Sequence, residues 1–321
     1  MSNQPLSKNS PFPSRFLGWM NERFPPATAI AFLLVFLLPH LYAQHLIGKE
    51  SLEIGIPQIL GYLACWFFYL MLRVFDEHKD YELDCQNHPN RVLQSGIITL
   101  SDLKKVGALG ICIQLSVSLY LDGGMGPITQ IWFITIGWSL LMAKEFFLGA
   151  WLEKRLFLYA ISHMLVVPIA FVWYMTMAAH DAPLPIEPTL WIVTLGFFTS
   201  FAGEVSRKIK APQDERDTID SYTKVLGLKG APMTLCIFVV LNAFLAFNIL
   251  ELILPTAPTW GWWIPLSLAI LLGFGTFIKF ISNPTPKLAT LCEASSGGAT
   301  VIFVITLLTA LFHTHPVVWF G

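Results

Sequence analysis

Nine runs of mostly apolar residues follow one another along this chain of 321 residues. Their approximate ranges are 27–47, 55–75, 104–121, 128–148, 156–178, 188–206, 231–250, 260–280 and 299–316. A helix of roughly 20 residues crosses a hydrocarbon core about 30 Å thick, because it rises about 1.5 Å per residue. Charged residues make up 13% of the chain, about half the fraction in an ordinary soluble domain. The sequence therefore predicts an all-α membrane protein with nine transmembrane helices.

The segment before the first apolar run is polar and contains prolines. No A-x-A-like cleavage site closes that first run, so we expect it to remain as a span rather than to be removed as a signal peptide. We therefore predict a cytoplasmic N-terminal segment over 1–26 and a single nine-helix domain over 27–321. Five cysteines without C-x-x-C spacing indicate neither a disulfide framework nor a zinc site.

The basic residues are sorted strongly between the loops. If the nine spans alternate in direction, 19 of the 20 Lys and Arg residues lie on the side of the N-terminus, and Lys49 alone lies on the other. Basic residues concentrate on the cytoplasmic side of membrane proteins. The pattern predicts a cytoplasmic N-terminus, an external C-terminus and a location in a membrane such as the bacterial inner membrane.

The first acidic cluster follows the second apolar run, in "RVFDEHKDYELDCQNHPNRVLQSG" at 73–96. Asp76, Asp80 and Asp84 are spaced i, i+4 and i+8, so a continuing helix would present them in one row. A divalent cation would relieve their mutual repulsion, and carboxylate oxygens suit Mg²⁺. The simpler interpretation is a solvated acidic helix end, which a single cluster does not exclude.

A second acidic cluster follows the sixth run, in "GEVSRKIKAPQDERDTIDSYTKVLG" at 203–227. Two such clusters at the same side of a bundle, combined with Lys and Arg, suit a Mg²⁺-diphosphate. Metals would bridge acids to phosphate, and the cations would bind the remaining phosphate oxygens. The candidate residues of this cluster are Glu204, Arg207, Lys208, Asp214, Glu215 and Asp217.

The two clusters together resemble those of the UbiA superfamily of intramembrane prenyltransferases. "DEHKDYELD" at 76–84 has the spacing of the family motif N-x-x-x-D-x-x-x-D, and "NRVLQSG" at 90–96 is similar to its NRPLxSG segment. Asp76 stands where the family commonly has Asn, and Val92 where it has Pro. "IDSYTKVLG" at 219–227 is similar to the end of the second family motif, whose earlier acid position falls here on Lys210.

The resemblance implies a UbiA-like bundle with its active site at the cytoplasmic side, and it implies magnesium as cofactor. Asp76, Asp80, Asp84 and Asp214 would be the catalytic acids, with Glu204, Glu215 or Asp217 completing the metal site. Lys208 would assist catalysis and substrate binding. The other expected substrate-binding residues are Arg91, Lys144, Arg155, His163, Arg207 and Tyr222.

Several of these residues also have a structural interpretation. Lys144 and Arg155 could be ordinary positive-inside residues, and His163 could be a packed, hydrogen-bonded histidine. We favour a role near the reaction centre for His163, because ionisable groups at membrane depth are costly and tend to be functional.

The predicted reaction is transfer of a prenyl group from a polyprenyl diphosphate to a lipophilic acceptor, for instance an aromatic or quinone precursor. Cyclisation of the prenyl chain without an acceptor is the close alternative, which the change at Asp76 keeps open. A cation transporter is disfavoured because the acids lie at the ends of spans, not at the bilayer midplane. The expected partners are the prenyl diphosphate, the acceptor and membrane lipids, with no nucleic acid.

Overall fold

The computed structural model describes residues 6–216, 220–254 and 259–320, and these residues form α-helices with two short strands. The helices are α1 Phe12–Arg23, α2 Thr28–Leu46, α3 Ile56–Lys79, α4 Tyr81–Asn87, α5 Leu100–Asp122, α6 Pro127–Ala143, α7 Gly149–Leu152, α8 Leu156–Met164, α9 Val166–Ala179, α10 Ile186–Arg207, α11 Tyr222–Ile253, α12 Trp263–Ser282 and α13 Pro286–Thr314. The strands are β1 Leu52–Ile54 and β2 Val317–Trp319. The all-α prediction is confirmed.

Eight helical segments of the described chain are long and apolar enough to cross a membrane. Each of the nine predicted spans falls on helical residues, and the fifth covers α8 and α9 together. The fourth falls on α6, which has 17 residues and is shorter than the eight membrane-length segments. Seventeen residues is near the lower limit for a transmembrane helix. The chain is an integral membrane protein, and the number nine stays a prediction.

Helix α6 ends at Ala143, five residues before the predicted end of that span, because the backbone turns left-handed. Glu145, Phe146 and Phe147 have φ values of 48°, 54° and 58°. Residues with a side chain adopt this conformation at a cost, so three in succession cannot continue a right-handed helix. A second break lies within α11, where Gly227 has φ 78° and ψ 168°.

The described residues form two compact units. The first comprises the residues up to Phe36 together with Gly55–Ala143. Its buried apolar cluster joins α1 to α3, to the loop before α5 and to the start of α5. The members of this cluster are Trp19, Met20, Phe24, Leu70, Val74, Val92, Leu93, Ile98 and Leu103. The N-terminal segment is therefore packed into this unit through α1.

Helices α3 and α5 of the first unit lie close together where α5 carries glycines. A Cβ atom added to Gly107 would lie 3.2 Å from the Val74 side chain, and one added to Gly110 would lie 3.4 Å from the Phe67 carbonyl oxygen. Small residues allow such close approach between membrane helices, which lack a hydrophobic driving force between them. Gly107 and Gly110 therefore lie at the contact between the two helices, with little room for a larger side chain.

The second unit comprises Leu37–Ile54 and the described residues from Lys144 onward. Here α11 packs against α10, α12 and α13, and hydroxyls of Thr276 and Ser295 form a 2.8 Å hydrogen bond between α12 and α13. Strands β1 and β2 pair in parallel, with Leu52 opposite Val317. The prediction of a single domain over 27–321 stays a prediction.

We predict that Gly110→Val lowers the stability of the protein. The branched side chain would press against the backbone of α3 at Phe67, and overpacking of this kind costs about 1–3 kcal/mol. The measurement is thermal unfolding of the purified protein in detergent. Gly137→Val is the matched control, because nothing lies within 4 Å of a Cβ added at that glycine of α6. Equal melting temperatures for the two variants would contradict the packing role of Gly110.

Candidate functional site

The first acidic cluster lies where α3 passes into α4. Asp80 is the residue between them, with φ −94° and ψ 6°. The helical hydrogen bonds continue through it, because Asp80 N–H donates to the Asp76 carbonyl at 2.9 Å and Asp84 N–H donates to the Asp80 carbonyl at 2.8 Å. The three aspartates therefore follow one another at successive helical turns, and their spacing along the backbone is the one expected from the sequence.

Glu77 is the buried member of this segment, with none of its side chain exposed. Its Oε1 accepts a hydrogen bond from Arg23 Nε at 2.6 Å and another from Arg73 Nε at 2.9 Å. The sequence interpretation left Glu77 out of the site, although its i, i+4 relation to Arg73 was a signal for an ion pair. A buried carboxylate needs such partners, because an unpaired buried charge is very costly.

The three predicted aspartates differ in their surroundings. The Asp84 side chain is 16% exposed, and its Oδ2 accepts hydrogen bonds from Arg23 at 3.2 Å and from Arg91 at 3.1 Å. The side chains of Asp76 and Asp80 are each 44% exposed, and their ion-pair contacts are longer, 3.7 Å to Arg73 and 4.0 Å to Lys79. The structure thus brings Arg91 to the first cluster, and its role in substrate binding stays a prediction.

Burial raises the pKa of the Asp80 carboxyl even though part of the side chain meets solvent. The carboxylates of Asp84 and Glu77 act in the same direction, while Lys79 and Arg73 oppose them. The charged form of Asp80 is therefore disfavoured by the protein alone. A cation bound beside it would favour that charged form.

Within the described ranges, no three His, Cys, Asp or Glu side chains lie close enough together to hold a metal ion. Magnesium is commonly bound by one or two carboxylates, with waters and substrate phosphates as its other ligands. Asp76 and Asp80 supply the oxygen ligands that magnesium prefers, in the part of the cluster most exposed to solvent. The first cluster therefore fits a magnesium site in which carboxylates supply some of the ligands, and water and phosphate supply the others.

The second unit has its own buried glutamate, Glu204, in the last turn of α10. Its Oε1 lies 2.8 Å from Lys208 Nζ, and its Oε2 accepts a hydrogen bond from Arg207. The Glu204 side chain is 8% exposed, whereas that of Arg207 is 60% exposed. Three predicted site residues are therefore joined in one ion-paired group.

Tyr159 lies between two predicted residues of the second unit and was itself not predicted. Its ring stacks on the His163 ring with centroids 4.0 Å apart, and Lys208 Nζ lies 5.9 Å from its centroid. His163 Nδ1 lies 2.8 Å from the Tyr159 carbonyl oxygen. Because a carbonyl only accepts, Nδ1 carries the proton of the neutral ring. Tyr159 thus holds His163 and Lys208 in one group.

Tyr222 contacts Lys208 and Arg155 lines a nearby cavity, whereas Lys144 lies outside that cavity. The Tyr222 N–H donates to the Lys208 carbonyl at 3.1 Å, and its buried ring contacts Phe157. The Arg155 guanidinium lies 4.1 Å from the centre of the Trp151 ring, beside a cavity of about 330 Å³. That cavity is lined by Glu153, Lys154, Arg155, Leu156, Phe157, Leu158, Asp220 and Val225. Lys144 is exposed just before the left-handed turn and does not line this cavity.

The remaining acids of the second cluster lie after α10. Asp214 is exposed at the end of a short 3₁₀ turn. Glu215 accepts hydrogen bonds from Ser221 Oγ at 2.6 Å and from Thr223 Oγ1 at 2.7 Å. Asp217 lies outside the described residues. The prediction that acids of this segment complete a magnesium site stays a prediction.

Two solved structures are similar to the chain along most of its length. A UbiA homologue from Aeropyrum pernix K1 is 15% identical with a TM-score of 0.62, and the match covers 86% of this chain and 97% of the homologue. The chain has the UbiA fold. A structure of digeranylgeranylglyceryl phosphate synthase is 16% identical with a TM-score of 0.58, and the match covers 94% of this chain and 98% of the synthase.

No family model and no curated protein sequence matches the chain. The two similar structures confirm, at the level of the fold, the UbiA resemblance that the acidic motifs predict. At identities of 15% and 16%, the similar structures do not assign roles to individual side chains. Those roles must come from the contacts of this chain.

We predict that Glu215→Ala destabilises the protein and that Glu215→Gln does not. The buried hydroxyls of Ser221 and Thr223 lie 3.0 Å apart, so in the alanine variant one of them can donate to the other and the second loses its acceptor. A loss of this kind costs about 1–3 kcal/mol. Thermal unfolding in detergent is the measurement.

Asp214→Ala is the control for Glu215, because it removes the exposed neighbouring acid and should change stability by less than about 0.5 kcal/mol. Equal melting temperatures for Glu215→Ala and Asp214→Ala would contradict the role of Glu215 as the acceptor for both hydroxyls. Retained stability with lost Mg²⁺-dependent turnover in Glu215→Gln would assign the residue to the metal instead.

Proposed function

We propose that the chain is a Mg²⁺-dependent intramembrane prenyltransferase, which ionises a polyprenyl diphosphate and transfers the prenyl group to a lipophilic acceptor. The observation that carries this proposal is the succession of Asp76, Asp80 and Asp84 at the end of a membrane-length helix, in a chain with the UbiA fold. The structural similarity to digeranylgeranylglyceryl phosphate synthase supports a prenylated lipid as the product.

Asp76, Asp80 and Asp84 would hold magnesium, directly or through water, and the ion when bound would supply electrostatic stabilisation of the departing diphosphate. Arg91 is ion-paired with Asp84 and would bind diphosphate oxygens, since guanidinium groups suit phosphate. The C–O bond of the substrate breaks, and both electrons leave with the diphosphate. The resulting allylic cation is captured by π electrons of an acceptor, which then loses a proton.

The apolar helices would serve the reaction by excluding water, which would otherwise capture the cation. In the second unit, Lys208 and His163 adjoin the aromatic ring of Tyr159. Aromatic ring faces stabilise cations within about 6 Å of the centroid. The Lys208 ammonium is such a cation, so the Tyr159 ring, with His163 and Phe146 at the edge of His163, forms one aromatic group of the second unit.

We predict that Asp80→Ala and Asp84→Ala each lower turnover by at least about 100-fold, a loss typical of removing one electrostatic contact to the transition state. The measurement is release of diphosphate from prenyl diphosphates of several lengths, with Mg²⁺ and with or without membrane lipid extract. Glu82→Ala is the matched control, because Glu82 is exposed in the same segment. Near-normal activity in either aspartate variant, with the protein folded, would remove the metal assignment.

The products of the same assay separate transfer from cyclisation. Turnover of geranylgeranyl diphosphate alone to a cyclic hydrocarbon or alcohol would show a terpene cyclase. Turnover that requires the lipid extract would show a transferase, and mass spectrometry of the product would then identify the acceptor. Ion flux in liposomes without any turnover would contradict both enzyme assignments.

We further propose that the N-terminus is cytoplasmic and the C-terminus external, as the distribution of Lys and Arg indicates. In a variant that lacks the five native cysteines, we predict that Asn9→Cys reacts with a membrane-impermeant maleimide only after the membrane is permeabilised. Asp181→Cys, between α9 and α10, should react in intact cells. The reverse pattern would contradict this orientation.

A further inference from the structure

We propose that Arg23 of α1 is a positioning residue, which is held by the buried carboxylate of Glu77 and orients Asp84 toward a bound divalent cation. The segment before the first span would then form part of the metal site. This inference rests on the proposed function, and all of its residues belong to the first unit of the chain.

The first step is the geometry of the Arg23 side chain, which joins two carboxylates. Its Nε donates to Glu77 Oε1 at 2.6 Å, and its Nη2 donates to Asp84 Oδ2 at 3.2 Å. A planar guanidinium can bind two acceptors in fixed directions, whereas the ammonium of lysine acts as a compact point charge. The Arg23 side chain is 17% exposed, so solvent screens these contacts only partly.

The second step is the state of Asp84. Arg23 and Arg91 both donate to its Oδ2, from α1 and from the loop after α4. Among the described residues, no side chain donates a hydrogen bond to Asp84 Oδ1. With Oδ2 fixed by two arginines, the carboxylate has a defined orientation that leaves Oδ1 available to a cation. Groups that orient ligands in this way commonly change metal affinity by about 10–100-fold.

The third step is the rigidity of α1, which carries Arg23. Trp19 and Phe24, which lie before and after Arg23 in the sequence, are buried, and the Phe24 ring contacts Trp66 of α3. The Glu22 carboxylate accepts a hydrogen bond from Val92 N–H at 2.8 Å. This hydrogen bond joins the loop 90–96 to α1. Arg91 of that loop and Arg23 of α1 are the two arginines that donate to Asp84.

Arg23 could also have the opposite effect on metal binding, and the direction of the measured change separates the two possibilities. A guanidinium beside Asp84 could compete with a metal ion for the carboxylate. Removing Arg23 would then strengthen metal binding. If Arg23 positions Asp84, its removal weakens metal binding, so the direction of the change decides between the two roles.

The test uses the full chain in detergent, with Mn²⁺ as a probe followed by electron paramagnetic resonance and with Mg²⁺ in the turnover assay. For Arg23→Gln we expect Mn²⁺ affinity to fall by about tenfold or more, and the Mg²⁺ concentration for half-maximal turnover to rise by a similar factor. Arg23→Lys should restore affinity only in part. Unchanged or tighter Mn²⁺ binding in Arg23→Gln would overturn the inference.

The matched control is Arg15→Gln on the same helix. Arg15 pairs with Asp102 at 3.2 Å, and its side chain is 19% exposed, close to the 17% of Arg23. We expect this variant to keep the wild-type Mn²⁺ affinity even where its melting temperature falls. Equal loss of affinity in Arg15→Gln and Arg23→Gln would show that α1 acts through folding alone and would overturn the positioning role.

Glu77→Gln gives a second route if Arg23→Gln does not fold. It should also weaken Mn²⁺ binding, and wild-type Mn²⁺ affinity in this variant would overturn the role of Glu77.

The measurements distinguish failure of the Arg23 inference from failure of the proposed enzyme function. Turnover that does not depend on Arg23 contradicts the inference alone, and Arg23-dependent Mn²⁺ binding without turnover contradicts the enzyme assignment alone. A wild-type protein with neither property contradicts both.

Discussion

The acidic end of α3 depends on one buried carboxylate shared by two arginines. Glu77 has no exposed side-chain surface, and it receives Arg23 from α1 and Arg73 from its own helix. Removing one partner of a buried ion pair is strongly destabilising, because it leaves an uncompensated charge. Glu77 thereby fixes where α1 can lie, and α1 in turn carries the apolar side chains that cover this end of the unit.

Each of the two units has a buried glutamate near the end of a membrane-length helix, next to an acidic segment. In the first unit Glu77 binds Arg23 and Arg73, and in the second Glu204 binds Arg207 and Lys208. Both groups contain an i, i+4 pair, Arg73–Glu77 and Glu204–Lys208. In both units, a charge at the end of an apolar helix has a partner within one helical turn, and in the first unit Arg23 of α1 adds a second partner from outside the helix.

The sequence predicts the membrane helices well, because a span needs a long apolar run and little else. It does not predict the extra helix α1, whose buried apolar residues Trp19 and Met20 are mixed with charges and prolines. Glu77 is one of five neighbouring carboxylates; its i, i+4 pairing with Arg73 can be read from the sequence, whereas its burial and its contact with Arg23 of α1 cannot. The end of α6 could not be predicted either, since Glu145, Phe146 and Phe147 do not favour a left-handed backbone.

For the candidate site, the spacing of Asp76, Asp80 and Asp84 was predictable because it is a property of the helix itself. The role of Glu215 was not, since its hydroxyl partners Ser221 and Thr223 approach only in the fold. The stacking of Tyr159 on His163, by contrast, is an i, i+4 contact within α8. Patterns within one helix can thus be derived from the sequence. Contacts made by loops need the structure.

The parallel pairing of β1 with β2 has a consequence for how the chain is made. His45 and His315, which lie beside these strands, are 270 positions apart and have ring nitrogens 3.3 Å from each other. The hydrogen bonds that Leu52 and Ile54 make with Pro316 and Phe320 therefore form only after every later helix has been synthesised. Contacts between such distant parts of a chain form slowly, so this small sheet would close the second unit as a late event of biogenesis.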